Sequence, residues 1–260
     1  MSITLTSGMR QNLFSLQQTS KLMEMTQSRL ATGKRVQTAL DDPLNFFAAE
    51  NHQQRANDLA FRKDAMGEAI QTIKSADNGI TALTDLIAAA KATAQSALSL
   101  STTATTERAA LATQFDSLRT QIDELADDAG YKGVNFLTND AMSVFFDVDT
   151  SSSLSLTGFN GTSGGLGIVA AAAAWAANTD IDAAITNLDN ARTTLRTEAK
   201  ELSNNLSVIT VRQDFTEKMI NTLEDGVANL TNADMNEEGA NMLMLQTRQA
   251  LGITSLSMAS

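Results

Sequence analysis

From Ile181 to Leu230 the chain repeats a seven-residue pattern without a proline and with a single glycine, Gly226. One row is Ile181, Leu188, Leu195, Leu202, Ile209, Thr216, Leu223 and Leu230. The other is Ile185, Arg192, Ala199, Leu206, Gln213, Ile220 and Val227. Offsets of three and four residues put both rows on one stripe of an α-helix. A heptad held this long requires neighbouring helices and a gentle supercoil, because 3.6 residues per turn otherwise rotates the stripe away from its partner. At 1.5 Å per residue, about fifty residues make an element about 75 Å long. The remaining chain must therefore supply long partners. Arg192, Gln213 and Thr216 interrupt the seam and are candidate points of contact with neighbouring molecules.

Such a partner begins at Asp41-Asp42-Pro43. Asp42 is suited to cap the open N–H groups of a helix and Pro43 to occupy its first position. From there to about Leu98 runs a seam of Leu59, Met66, Ile73, Ile80, Ile87 and Ala94, flanked by Ala69, Ala76, Leu83, Ala90 and Ala97. The small second row admits a close neighbour. After the Ser/Thr-rich turn 99–106, Leu111, Phe115, Leu118, Ile122, Leu125 and Ala129 predict a shorter antiparallel helix over 107–129. The expected core is Leu59, Ile73, Ile80, Phe115, Leu118, Ile122, Leu195, Leu202 and Leu206.

The two ends are more weakly striped. Leu5, Met9, Leu13, Leu16, Met23 and Leu30 mark an N-terminal helix, with Leu13, Ser20 and Gln27 beside the row 16/23/30; Gly33 stops it. Asp234 and Glu237 open a last helix, in which Met244, Leu251 and Met258 repeat at sevens. Its methionines suit a surface that repacks against more than one partner. Between the halves, 144–148 and 154–156 read as short strands among serines and glycines, and 168–178 as a short helix or connector. The predicted fold is mainly α: an elongated antiparallel helical bundle or coiled-coil rod, with a small β excursion at the tip and paired terminal helices.

Composition narrows the function. A net charge of -11 opposes nucleic-acid binding, which needs a basic face. The most apolar run, 167–177, is far shorter than the roughly 20 residues of a membrane span. The first residues lack the continuous apolar core of a signal peptide, which alone would make the cytoplasm the default compartment. With no cysteine, disulfides and thiol chemistry are excluded. His52, the single histidine, lies among Gln53, Gln54 and Arg55 and lacks a triad or zinc-ligand context. Gly164-Gly165-Leu166-Gly167 lacks the Lys-Ser/Thr of a phosphate loop. No catalytic, metal or cofactor residues are expected. The Ser/Thr clusters 101–106 and 150–157 read as solvated loops.

Several stretches resemble bacterial flagellins, in particular the short type of alphaproteobacteria. They are Ser28-Arg29-Leu30-Ala31-Thr32-Gly33-Lys34-Arg35-Val36, Ala39-Leu40-Asp41-Asp42-Pro43, Tyr131-Lys132-Gly133-Val134-Asn135-Phe136-Leu137, Ala233-Asp234-Met235 and Leu245-Gln246-Thr247-Arg248-Gln249-Ala250-Leu251-Gly252. The resemblance covers roughly 1–140 and 180–260. It implies a filament subunit for motility, not an enzyme, that is exported unfolded by the flagellar type III apparatus and ends up outside the cell. It divides the chain into an inner core domain (1–40 with 233–260), a helical rod (41–137 with 180–232) and a variable tip (138–179).

Leu13, Leu16, Met23, Leu30, Met244, Leu251 and Met258 are then the expected polymerisation surface. The implied partners are further copies of the chain, an export chaperone on the C-terminal helices and hook-associated proteins, with no nucleic acid and no membrane insertion. Arg29, Lys34 and Arg35 are expected to pair with the acids at 41–42 between subunits. Flagellins normally run about ten residues further, to an apolar cluster. The stretch 87–92 lacks the Arg/Leu/Glu patch read by the animal Toll-like receptor, so poor recognition is expected. A hook–filament junction protein shares the terminal motifs; a cytoplasmic signalling coiled coil shares only the heptads.

Overall fold

The computed structural model describes residues 7–259, so the expectation at Leu5 lies outside the described residues. The order of elements is α1 (Ser7–Thr32), α2 (Pro43–Ser99), α3 (Thr105–Asp128), β1 (Ala141–Phe145), β2 (Ser153–Thr157), α4 (Asn178–Thr231) and α5 (Met235–Ala259). The chain divides into two compact units. The terminal unit combines Met1–Asn57 with Ile220–Ser260, and the central unit is Asp58–Met219.

The central unit is an antiparallel helical bundle. Lys63 pairs with Glu217 at 3.9 Å and Lys91 with Asp189 at 2.6 Å, which fixes α2 and α4 running in opposite directions. The α2 seam closes as its spacing dictates: Leu59, Met66, Ile73, Ile80, Ile87 and Ala94 are buried, with Ala69, Ala76, Leu83, Ala90 and Ala97. Phe115, Ile122, Leu195 and Leu202 are buried with them, and Leu118 and Leu206 pack half-buried on the same core. In the first part of α4 the second buried row is Ala184 and Ala191, one residue ahead of Ile185 and Arg192.

Two of the three polar interruptions of the heptad, Thr216 and Gln213, are turned inward. Thr216 is buried and its hydroxyl donates to the Arg212 carbonyl one turn back at 2.9 Å. Gln213 Nε2 donates to the Lys63 carbonyl at 3.2 Å.

β1 and β2 form an antiparallel hairpin pairing Ala141 with Thr157 through Phe145 with Ser153. The first strand starts earlier than the apolar run 144–148 suggests, because Asp147 turns the chain: its Oδ1 accepts from Val148 N–H at 2.7 Å and its Oδ2 from the Ser151 hydroxyl at 3.2 Å. The hairpin does not sit at the turn between α2 and α3. The Arg212 guanidinium lies 5.1 Å from the Phe146 ring centroid, and Arg62 donates to the Val148 carbonyl at 3.3 Å. Arg62 is about 55 Å along α2 from Ser99 at the helical rise. Gly158 permits the exit, since a Cβ there would stand 2.5 Å from the Phe136 carbonyl oxygen.

The chain then returns along α3 as a strap. Asp123 accepts the Ser163 N–H at 2.6 Å, Arg119 Nε donates to the Ile168 carbonyl at 3.0 Å, and Asp116 accepts the Ala171 N–H at 3.1 Å. It ends in a left-handed turn over Ala172–Trp175, where Ala173, Ala174 and Trp175 hold φ of 45°, 49° and 58°. Left-handed backbone disfavours L-residues by about 1–2 kcal/mol each; full burial of Trp175 against Phe115, with ring centroids 5.0 Å apart, offsets it.

Arg108 locks this end. It is fully buried and donates to the carbonyls of Ala97 at 3.2 Å, Trp175 at 3.2 Å and Ala176 at 3.1 Å, and to Asn178 Oδ1. Ala97 lies in the last turn of α2, where the helix dipole favours a cation.

Candidate assembly surfaces

In the terminal unit α1 and α5 run antiparallel. Asn12 Nδ2 donates to Ser255 Oγ at 3.0 Å near one end, and Arg29 Nη1 reaches Glu238 Oε1 at 2.8 Å near the other. The facing row on α1 is Asn12, Leu16, Thr19, Met23, Thr26 and Leu30, spaced by fours and threes, with Thr19 and Thr26 buried. On α5 it is Glu238, Met242, Leu245, Gln249, Gly252 and Leu256, with Glu238 and Leu245 buried. Leu16, Met23 and Leu30 thus face the partner helix, while Leu13 and Gln27 do not: the second row is Asn12, Thr19 and Thr26. A threonine serves in such a seam because its hydroxyl can bond its own helix, as Thr19 does to the Ser15 carbonyl at 2.9 Å.

Backbone bonds tie the loops beside this pair. Arg35 and Val36 N–H both donate to the Thr231 carbonyl, at 2.7 and 3.2 Å, and Ala233 N–H donates to Gly33 O at 2.9 Å. Gly33 makes the reversal at φ 69°. Asp42 caps α2, accepting the Asn45 N–H at 3.1 Å, and Pro43 is the first helical residue. Asp234 caps α5 through Asn236 N–H at 2.8 Å and Glu237 N–H at 3.2 Å.

Within one chain Arg29 and Asp41 are each engaged elsewhere. Arg29 is held by Glu238 of the same chain, and Asp41 accepts the N–H groups of Thr38 at 2.9 Å and Gln37 at 3.1 Å. These backbone donors, Thr38 first, hold the Asp41 carboxyl below its ordinary value. Lys34 and Arg35 remain exposed.

Outside the seam both helices carry uncovered apolar side chains. On α1 these are Leu13, Phe14, Leu22 and Met25. On α5, Met244, Leu251 and Met258 keep their spacing of seven as one outward row, with Leu251 65 % and Met258 80 % exposed, joined by Leu243 and Ile253. Phe14, Leu22, Met25, Leu243 and Ile253 are additions to the sequence reading. Their signal is a second apolar face offset from the first, which a single-stripe search passes over. Leu40 and Leu44 also project, flanking the Asp41–Pro43 cap.

His52 is half-buried in α2, with its ring facing Gly226. The cleft formed by Val36, Phe46, Ala49, Val227 and Thr231 is rimmed by Lys34, Gln37, Glu50 and amides and contains no nucleophile–base pair. Among the described residues no group of three acidic, histidine or cysteine side chains is placed to hold a metal, and no helix is long and apolar enough to cross a membrane.

Comparison with known proteins agrees with this picture. Residues 5–141 match the family model for the bacterial flagellin N-terminal helical region. Flagellin FljO of Caulobacter vibrioides is 32% identical over 268 residues, covering 100% of this chain and 94% of that protein. Flagellin A of Rhizobium meliloti is 38% identical over 81 residues, 31% of this chain and 21% of that one. The crystal structure of Bacillus cereus flagellin superposes with a TM-score of 0.51 at 15% identity, covering 58% of this chain and 88% of that chain, a likeness of fold. With its paired terminal helices, its heptad bundle and a match along its whole length, the chain belongs to the bacterial flagellin family, the structural subunits of the flagellar filament.

Proposed function

We propose that this chain polymerises through the faces of α1 and α5 that lie outside their mutual seam, and that these helices act as the inner core domain of the filament. The observation that carries the reading is the outward apolar row Met244, Leu251 and Met258, together with Phe14, Leu22 and Met25 on α1. A lone subunit gains nothing by holding these side chains in water, whereas a polymer removes them from it. The α1–α5 seam is itself thin, since its buried positions on α1 are threonines. Such a pair is marginal alone, so assembly completes its folding. Leu16, Met23 and Leu30 then act inside the pair, and Leu13, Met244, Leu251 and Met258 between subunits.

The central unit supplies stiffness, and the strap and hairpin over 138–179 the outer surface. Before export, which passes the chain unfolded through the type III apparatus, a cytoplasmic chaperone takes the methionine-bearing face of α5. Hook-associated proteins meet the same terminal surfaces at the filament base.

The test is Leu251→Asp. A charge at this exposed site should leave the central unit's thermal transition unchanged and abolish sedimentable polymer. Normal polymer from this variant and from Met258→Asp would overturn the assignment.

A further inference from the structure

The methionines are distributed unevenly. Among the described residues the terminal unit carries Met9, Met23, Met25, Met235, Met242, Met244 and Met258, and the larger central unit only Met66, Met142 and Met219. Exposure is uneven as well. Met25 is 43 %, Met235 48 %, Met244 49 % and Met258 80 % exposed, whereas Met66 is 0 % exposed in the bundle core. A core built on Leu, Ile and Ala and an open face rich in thioethers place the chain's oxidisable groups on the terminal helices. With no cysteine, the thioethers are its principal two-electron reductants.

We infer that Met25, Met244 and Met258 form an oxidation-sensitive assembly switch: the free subunit takes up oxygen at these sulfurs and is thereby barred from polymerising. The inference rests on the assembly surface proposed above. The oxidant is a hydroperoxide. The thioether sulfur attacks its terminal oxygen, the O–O bond breaks, and the leaving alkoxide takes the proton to depart as an alcohol, or as water when the oxidant is hydrogen peroxide. Sulfur loses two electrons and becomes a sulfoxide.

That change turns a flexible apolar side chain into one with a strong acceptor, which an apolar subunit contact must then desolvate without a donor. Spacing sharpens the effect. Met244 and Met258 share the row with Leu251, so two polar groups enter one contact line. Met66, sealed in the bundle, keeps its thioether, and the central unit stays folded. Once polymerised, the row is covered and the same sulfurs are shielded, so sensitivity belongs to the unassembled subunit.

The experiment exposes full-length subunits and preformed filaments to hydrogen peroxide. Sulfoxide at each methionine is read by peptide mass spectrometry and polymer by sedimentation. In free subunits Met25, Met244 and Met258 should oxidise at least about tenfold faster than Met66, with polymer yield falling in step. In filaments the three should be protected by a similar factor. Methionine sulfoxide reductases should restore assembly of the treated wild type. The M25L/M244L/M258L variant, close in volume and apolar, should polymerise after the same exposure.

Treated wild-type subunits that polymerise undiminished, or reductase treatment that removes the sulfoxides without restoring polymer, overturn the switch. So does a triple variant that polymerises when untreated but loses assembly to peroxide as readily as wild type. In each of these cases polymerisation itself remains in place. Untreated wild type that gives no polymer, or filaments in which the three sulfurs oxidise as fast as in subunits, overturns instead the surface on which the switch depends.

Discussion

Arg108→Met tests the buried clasp at the end of the central unit. The guanidinium is wholly inside and has no carboxylate partner among the described residues; carbonyls and one amide oxygen accept its hydrogen bonds. Methionine fills much of the volume but donates nothing. The Ala176 carbonyl and the Asn178 amide lie on exposed residues, and water can replace the lost donor there. The Ala97 and Trp175 carbonyls meet Arg108 in fully buried bonds. The Ala97 carbonyl keeps the Leu100 N–H at 3.3 Å, so one buried acceptor, the Trp175 carbonyl, is left unpaired at a cost of about 1–3 kcal/mol while the other loses its second donor, and the better burial of the apolar replacement returns part of this. A net loss of about 2 kcal/mol is expected, a sizeable share of the roughly 5–15 kcal/mol typical of a domain.

The single tryptophan, Trp175, is the local reporter. Urea unfolding followed by its fluorescence and by helical circular dichroism should give a lower midpoint at unchanged slope. Arg108→Lys keeps the charge at the α2 terminus but not the fork, and should lose about half as much. If Arg108→Met costs less than about 0.5 kcal/mol, below the net value of a typical hydrogen bond, the clasp is not what holds α2, α3 and the start of α4 together.

Other outcomes follow from the same geometry. Leu195→Asp places a carboxylate at a fully buried seam position and should unfold the central unit, read as loss of its cooperative thermal transition. Asp41 has a lowered folded pKa, so its contribution is present above the ordinary carboxylate range and lost as pH falls through the folded value. Asp41→Asn should accordingly remove part of the acid-induced loosening of the 37–41 loop, monitored by proton chemical shifts of Gln37 and Thr38 N–H. Burial, then the neighbouring Glu201, raises the Glu198 pKa. Its stability penalty therefore grows as pH rises from the unfolded to the folded value, and Glu198→Gln should raise the melting temperature at neutral pH but not at acid pH. Amides of α1 and α5 should exchange quickly in the free subunit and slowly in filaments.

The bundle was legible in the sequence because its seam is apolar at almost every step: Leu59 to Ala94 on α2 and Ile181 to Ile209 on α4 are buried where their spacing puts them. On α1 the row Leu16, Met23 and Leu30 lies in the seam as its spacing dictates, but its companion row is displaced by one residue, from Leu13 to Asn12 and from Gln27 to Thr26, because hydropathy counts threonine against a buried site. Thr19 bonds its hydroxyl to its own helix, and Leu13 is left outside. The arginine clasp was invisible for a related reason. An arginine in a run of helix formers reads as surface, and only the fold brings the Ala97, Trp175 and Ala176 carbonyls together to let it enter. The position of the hairpin beside Arg62 and Arg212 depends on tertiary contacts that no local pattern encodes. The Arg29–Glu238 pair joins residues 209 apart in sequence, beyond any helix-spacing rule.

A close approach of α1 to α5 puts opposing effects at one position. At Gly252 an added Cβ would stand 2.6 Å from Leu16 Cδ2 and 3.1 Å from Leu16 Cγ. Gly→Ala in a helix interior gains about 1 kcal/mol in propensity, while overpacking costs about 1–3 kcal/mol. Contact with Cγ as well as a terminal methyl means that rotating the methyl is not enough, and Leu16 must leave its place. Gly252→Ala should therefore weaken the pair despite the better helix, raising the critical concentration for polymerisation several-fold, up to about tenfold for a net 1.4 kcal/mol. In a Leu16→Ala background the obstruction is gone and only the propensity gain remains, so the double variant should polymerise at a lower concentration than Leu16→Ala alone. The sign of the Gly252→Ala effect reverses with the residue at 16, which is coupling through a shared contact. If Gly252→Ala lowered the critical concentration in both backgrounds, the glycine would be no spacer between the helices.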